Sequence, residues 1–491
     1  MSVNQATVNN RSFKSNWRSF FEPKPAWQAI LGLIFTIIVL LLTVPRLLIP
    51  IFPFGSLSVG IFLYRRYPVL YVGFTWWLWF VGIFVRRLID FRCNFITPWP
   101  YHFTPILVTS ISIISLVRYL PRTYKKLGLP FFLCCFAVFY AFVIGLIRQP
   151  TSDYEREIIV LFNWLSPICF GFHLLINWQD YPRYRQLIQK VFLWGVIVMG
   201  IYGLFQFIVA PGWDKFFLVN SSQFNSAMNS SYMGSPEPLG MRVWSTMGNP
   251  MTFSFNLMPG LILLFFSQAQ LRYLAGGLGF LVLLISRVRT AWYSLLLTIA
   301  LFIISLKERH QIRAIIVISL LVLIVIPLAT IEPFSSVINS RLETFADLGG
   351  DGSFQHRLGA FERGTSIAFS EFLGYGLLSP GQSPNGAFST NDNGYLVILV
   401  TFGWFATIVY MSGILLIVSK VFQSNNLDLF GIASRSIALG SLARMATSNV
   451  STEQYAMPIW CFLAISLAAD KYFAHQIIIN RKNDLSTRLN K

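Results

Sequence analysis

The chain has 491 residues, 55% of them hydrophobic and 12% charged, with 38 Lys and Arg against 20 Asp and Glu for a formal net charge of +18. So much apolar sequence with so few charges excludes a soluble protein built on one core, and a disordered chain would show the opposite balance. The composition is that of an all-α polytopic membrane protein.

The basic excess could point to nucleic acid, but the Lys and Arg stand singly between long apolar runs instead of gathering on one solvated face. Nucleic-acid binding is excluded on that ground, and the positive-inside rule accounts for the excess. The five cysteines, Cys93, Cys134, Cys135, Cys169 and Cys461, have neither disulfide-framework nor metal-ligand spacing, and read as small hydrophobes.

Residues 1–26 carry Arg11, Lys14, Arg18 and Lys24 without a cleavable signal pattern, and read as a cytoplasmic tail. A hydrocarbon core about 30 Å thick takes roughly 20 apolar residues per helix. On that measure spans are expected at 28–44, 47–64, 68–86, 103–120, 127–147, 157–177, 188–210, 252–268, 272–287, 290–306, 312–331, 394–419, 429–447 and 455–472, about 14 in all (12–14, because Pro50 and Pro53 interrupt the second). The chain then divides into N-terminal helices over 27–210, a loop over 211–251, helices over 252–331, a larger loop with short helices over 332–393, C-terminal helices over 394–472 and a tail over 473–491. With the N-terminus inside, nearly all the positive excess falls on cytoplasmic segments, which places both termini in the cytoplasm and both long loops outside.

The cytoplasmic loops are too short for a nucleotide-binding domain, and no phosphate-loop motif occurs. The long Gly-, Pro-, Ser- and Asn-rich loops put any chemistry on the external face. The aromatic cluster Trp76-Trp77-Leu78-Trp79-Phe80 reads first as packing or an interfacial belt, and second as a surface for sugar rings or a polyprenyl tail.

In Ile285-Ser286-Arg287-Val288-Arg289-Thr290, two arginines separate apolar runs barely long enough to span. They are either snorkelling side chains or, on a face where the positive-inside rule disfavours them, a bidentate holder for a lipid phosphate. The second long loop carries Arg341, Ser353-Phe354-Gln355-His356-Arg357 and Arg363 on an expected amphipathic helix 354–370, before Gly374-Tyr375-Gly376. His356 reads as a local hydrogen-bonding residue. In Thr390-Asn391-Asp392-Asn393-Gly394, Asp392 is equally a general base at the membrane edge or a helix N-cap.

Over roughly residues 240–410 the chain resembles the O-antigen ligase and Wzy-type O-antigen polymerase superfamily. The resemblance rests on Arg242 before Gly248-Asn249-Pro250, on Ser-Arg-Val-Arg-Thr-Ala-Trp at 286–292, on Arg357 ahead of Gly374-Tyr375-Gly376, and on Asp392-Asn393 with nine residues before Gly403. It implies a GT-C-like helical architecture in the bacterial cytoplasmic membrane, with a large external loop capping a cavity. It also implies transfer of a glycan from undecaprenyl diphosphate. In the ligase branch two arginines bind the diphosphate and a histidine of a His-Asn-x9-Gly pattern activates the acceptor. Arg289 and Arg357 match the arginines, and Asp392 stands where that histidine would be, a departure that favours a polymerase-like member.

The resemblance thus implies Asp392, Arg289 and Arg357 as catalytic residues. Arg242, Arg287, Arg363, His356 and Asn393 are expected to bind substrate, beside membrane lipids and with a chain-length regulator as a further partner. No cofactor and no metal are expected: the first external stretch, Val44 to Phe54, has no acid, and Asp90, Asp153, Glu155, Glu157, Asp347 and Asp351 are scattered. The rival reading is a solute transporter or a flippase of lipid-linked glycans, for which the candidate in-membrane ionisable residues are Arg435, Arg444, His173 and Glu453.

Overall fold

The computed structural model describes residues 23–94, 103–123, 127–148, 154–220, 233–306, 352–377, 393–424 and 426–489, together with 311–312, 315–316, 319 and 332. The described part is all-α. Its helices are α1 (Lys24–Thr43), α2 (Leu48–Arg66), α3 (Pro68–Cys93), α4 (Phe103–Ser110), α5 (Ile113–Thr123), α6 (Leu129–Arg148), α7 (Tyr154–Ile176), α8 (Tyr181–Val209), α9 (Gly212–Asn220), α10 (Pro250–Leu264), α11 (Arg272–Ile285), α12 (Arg289–Ile304), α13 (Gly352–Ser370), α14 (Gly394–Gln423), α15 (Leu429–Ala443) and α16 (Glu453–Leu489).

Among the described residues nine helical segments are long and apolar enough to cross a membrane. Many large apolar side chains point outward, among them Phe35, Leu42, Ile147 and Ile408. In water such a surface would be a liability; in lipid it is the ordinary exterior of an integral membrane protein.

The first seven expected spans, and those at 394–419 and 455–472, each coincide with one of these segments. The prolines of the second do not prevent it. A 3-10 turn at Pro45–Leu47 leads into α2, so Pro50 falls in the first turn, where no N–H is required, and Pro53 removes one hydrogen bond from the second. The expected span 312–331 lies almost wholly outside the described residues.

The helices at 250–304, like α15 over the expected span 429–447, are shorter than the long spans. At 1.5 Å per residue, α10, α11 and α12 are only about 21–24 Å long, short of the hydrocarbon thickness. α10 is nevertheless buried on nearly every face, packed on α8, α11, α12 and α16. It is the central helix of the bundle, and its N-terminus lies inside protein.

The expected loop 211–251 has a structure of its own. After α8 ends in a left-handed Ala210, α9 carries Asp214 into a pocket where both it and Arg87 of α3 are fully buried. Arg87 Nη1 meets Asp214 Oδ1 at 2.6 Å, and Nη2 donates to the Ser245 carbonyl at 2.5 Å. The other Asp214 oxygen accepts from Tyr202 and from Gln206, each at 2.8 Å. Gln206 Oε1 in turn accepts the backbone amides of Trp244 (3.0 Å) and Ser245 (2.8 Å). A desolvated ion pair needs most of its remaining valences filled; here Tyr202 and Gln206 meet the carboxylate and the backbone of residues 244–245 meets Arg87 Nη2 and Gln206, while Arg87 Nε has no hydrogen-bond partner among the described residues.

Loss of one partner should leave the other charge buried and unpaired. Arg87→Ala is expected to lower the stability of the detergent-solubilised protein by about 3–5 kcal/mol, read from its unfolding midpoint. The double change Arg87→Met with Asp214→Asn, which keeps the hydrogen bonds to Tyr202 and Gln206, should cost less than Arg87→Ala alone; an equal or larger loss would refute the pairing argument.

Candidate active site

The Arg87–Asp214 network holds residues 241–248 across the ends of α8, α10 and α11, and so aims Arg242. Its Nε donates to the Ser286 carbonyl at 3.2 Å and its Nη2 to the Arg287 carbonyl at 2.9 Å. These are orphan acceptors at the C-terminal end of α11, where a cation also offsets the negative end of the helix dipole.

The chain between α11 and α12 turns within three residues. The Ser286 and Arg287 amides donate back to Val282 (3.0 Å) and Leu284 (3.1 Å), Arg287 adopts a left-handed φ of 58°, and Val288 leads into Arg289 as the first residue of α12. A non-glycine residue in that conformation costs on the order of 1 kcal/mol. The junction is pinned to the central helix, for the hydroxyls of Ser286 and Ser254 lie 2.8 Å apart. Arg242, Arg287 and Arg289 therefore meet at one helix junction, although 45 residues separate the first two. Arg287 and Arg289 are half-buried.

Two Asn residues from the resemblance are helix caps. Asn249 Oδ1 accepts the Thr252 amide at 2.8 Å and caps α10; Asn393 Oδ1 accepts the Leu396 amide at 3.1 Å and caps α14. The cap at 392–393 is thus Asn393, and Asp392, just before it in sequence, lies outside the described residues. Arg357 and His356 fall on α13, which spans Gly352–Ser370 close to the expected 354–370, but their side chains are outside the described ones. Arg363 is exposed on the same helix. Arg341 also lies outside the described residues.

The nine-residue spacing to Gly403 has a backbone explanation. Gly403 interrupts α14 with φ 69° and ψ 179°, a region essentially closed to residues with a side chain. The break frees backbone groups inside the protein, and residues 372–377 meet them. Tyr375 and Gly376 donate to the carbonyls of Val400 and Thr401, each at 3.0 Å; Trp404 donates to Phe372 at 2.9 Å; Leu377 donates to Ala141 of α6 at 3.2 Å. Ala141 lies seven residues from the end of α6, so the inserted segment reaches about 10 Å below that helix end. Irregular backbone at such depth is tolerated only when protein satisfies it. Gly374 and Gly376 are also left-handed, and an added Cβ at either would collide with backbone of α14 or α6.

The Glu371–Arg148 ion pair (2.7 Å) and the Arg148 guanidinium over the Tyr375 ring (5.3 Å) clamp the insertion at its upper end.

Arg444 is among the ionisable residues within an apolar run that a transporter would need. It follows α15 in a 3-10 turn, 3% exposed, with its guanidinium carbon 3.2 Å from the centroid of the Phe255 ring of α10. Nε, Nη1 and Nη2 are all buried and without a hydrogen-bond partner among the described residues. A ring contact returns about 2 kcal/mol at best, less than the cost of leaving a charged group's donors unmet. Around it, Thr252 donates to the Tyr455 hydroxyl at 2.5 Å, the Tyr455 and Phe255 rings stand edge to face, and Gly394, first residue of α14, abuts Met445. The starts of α10, α14 and α16 converge at the same bundle end as the arginine junction.

A family model described as O-antigen ligase matches residues 274–411, so this stretch of the chain is similar to that family. The matched stretch runs from α11 past the Gly403 break and contains Arg287, Arg289, Arg357, Arg363 and Asp392; Arg242 and Arg444 lie outside it. Comparison with curated protein sequences gives no match.

Gly403→Ala would place a Cβ against the backbone of Leu373 and Gly374. It is expected to destabilise the protein by roughly 1–3 kcal/mol from backbone strain alone, seen as a lower unfolding midpoint. Gly32→Ala, with open space around an added Cβ, should leave the midpoint unchanged or slightly raised; parity between the two would refute the role given to the break.

Proposed function

We propose that the protein is a membrane glycosyltransferase of the polymerase or ligase kind, moving a saccharide from undecaprenyl diphosphate to a sugar hydroxyl on the outer face of the bacterial cytoplasmic membrane. The observation that carries the reading is the junction at 286–289, inside the stretch similar to the O-antigen ligase family. There Arg242 is bonded to the successive carbonyls of Ser286 and Arg287, where the chain turns to present Arg287 and Arg289. The cap of α14 at Asn393, next to Asp392, opens on the same bundle end.

In this reading Arg289 and Arg357 hold the diphosphate oxygens. Arginine suits the task because its fork engages two oxygens at once and stays charged. The acceptor hydroxyl attacks the anomeric carbon as Asp392 takes its proton; a new C–O bond forms while the bond from that carbon to the phosphate oxygen breaks. Undecaprenyl diphosphate leaves with the bonding electrons, and the arginines offset the charge that develops on it in a partly desolvated setting. One displacement inverts the anomeric centre. The donor is already activated, so the step asks for neither nucleotide nor metal. The Asp in place of the ligase histidine favours polymerase over ligase, with both termini cytoplasmic.

Purified protein supplied with a lipid-linked oligosaccharide and no nucleotide should lengthen it. Asp392→Ala is expected to slow chain extension about 10²–10⁴-fold, and Arg289→Lys roughly 10²-fold, since charge without the fork should not suffice. Extension at the wild-type rate in both variants, with normal amounts of protein in the membrane, would overturn the assignment; movement of intact substrate across vesicles without extension would favour a flippase.

A further inference from the structure

Arg444 is a buried cation for which neither the fold nor the reaction above has a use. Its three guanidinium nitrogens are inaccessible and unbonded among the described residues, and its one strong contact is the face of Phe255. A structural arginine at such a place would be expected to hold a carboxylate or a row of carbonyls. The carboxylate of Glu453, at the start of α16, is instead engaged by Asn163 at 2.8 Å. The surroundings favour negative charge: Phe255 under Arg444 lies in the second turn of α10, and the start of α14 abuts Met445 beside Arg444, so the positive ends of two Asn-capped helices lie near the guanidinium. The Tyr455 and Thr252 hydroxyls stand beside Phe255 on the same side.

We propose that Arg444 is an anion-binding residue, taking phosphate oxygens of the diphosphate-linked substrate from the α10–α14–α16 side. The proposal rests on the lipid-linked donor of the preceding reading. Because the guanidinium is covered, a phosphate reaches it only by displacing part of its cover. Substrate binding and a local rearrangement around Phe255 and Tyr455 are then one event.

The test is thermal unfolding of the full-length protein in detergent, titrated with undecaprenyl diphosphate, undecaprenol, inorganic phosphate or phosphatidylglycerol, for wild type, Arg444→Met and Arg444→Lys. For an anion site, Arg444→Met removes an unpaired charge and keeps the volume. Its ligand-free midpoint should match or exceed wild type, while the stabilisation by undecaprenyl diphosphate weakens roughly 10–100-fold in apparent affinity. Arg444→Lys should fall between, and it carries the comparison if the Met variant does not fold. Undecaprenol should not stabilise any of the three.

An unchanged response to undecaprenyl diphosphate in Arg444→Met and Arg444→Lys overturns the proposal and leaves the enzyme reading standing. So does a Met variant that loses ligand-free stability and ligand response together, the mark of a purely structural arginine. Equal stabilisation of wild type by inorganic phosphate or phosphatidylglycerol would show an anion site that does not serve the lipid carrier, and would also overturn it. Failure of the enzyme reading is seen separately, as absence of chain extension by wild type.

Discussion

Arg87 and Asp214 are both fully buried, and in an apolar surround neither charge is tolerable without the other. Their attraction alone would not repay desolvation. What completes the pair is a polar chain from Asp214 through Gln206 to the amides of Trp244 and Ser245, and from Arg87 to the Ser245 carbonyl. The interaction is therefore also a geometric instruction. It stitches α3, α8 and α9 to the strand of chain that bears Arg242, and Arg242 in turn holds the carbonyls of Ser286 and Arg287 at the end of α11.

The same rule, that buried polar groups need partners, governs the two interrupted helical regions. At 286–288 the turn is closed by its own amides and by the guanidinium of Arg242; at Gly403 it is closed by residues 372–377, brought in from a distant part of the sequence. The breaks differ in what they hold. The first gathers cations, whereas the second is closed by backbone hydrogen bonds around three left-handed glycines.

These differences explain what could be read from the residues. Hydropathy locates the long helices well, since a span is a local property of about twenty residues, and the brevity of the runs around Arg287 and Arg289 already marks a junction. The N-cap at 392–393 was visible as a choice between two adjacent residue types, but only backbone geometry assigns it to Asn393. The interval from Asn393 to Gly403 looks like part of a catalytic motif, yet Gly403 serves the backbone, a requirement set by residues 372–377 and invisible from spacing. Arg444 illustrates the converse. An arginine within an apolar run is plain to see, but that its guanidinium lies on Phe255, close to the capped starts of α10 and α14, depends on packing between helices far apart in sequence.

The clamp on the inserted segment also determines how α13 can be adjusted. The Trp404 indole reaching the Ala368 carbonyl, the Glu371–Arg148 pair and the amides of residues 375–377 all engage the C-terminal end of α13 and the chain just after it. That end is a pivot, and Arg357 rides about 20 Å along the lever from it. A tilt of a few degrees about that end would carry the backbone at 357 by roughly 1 Å.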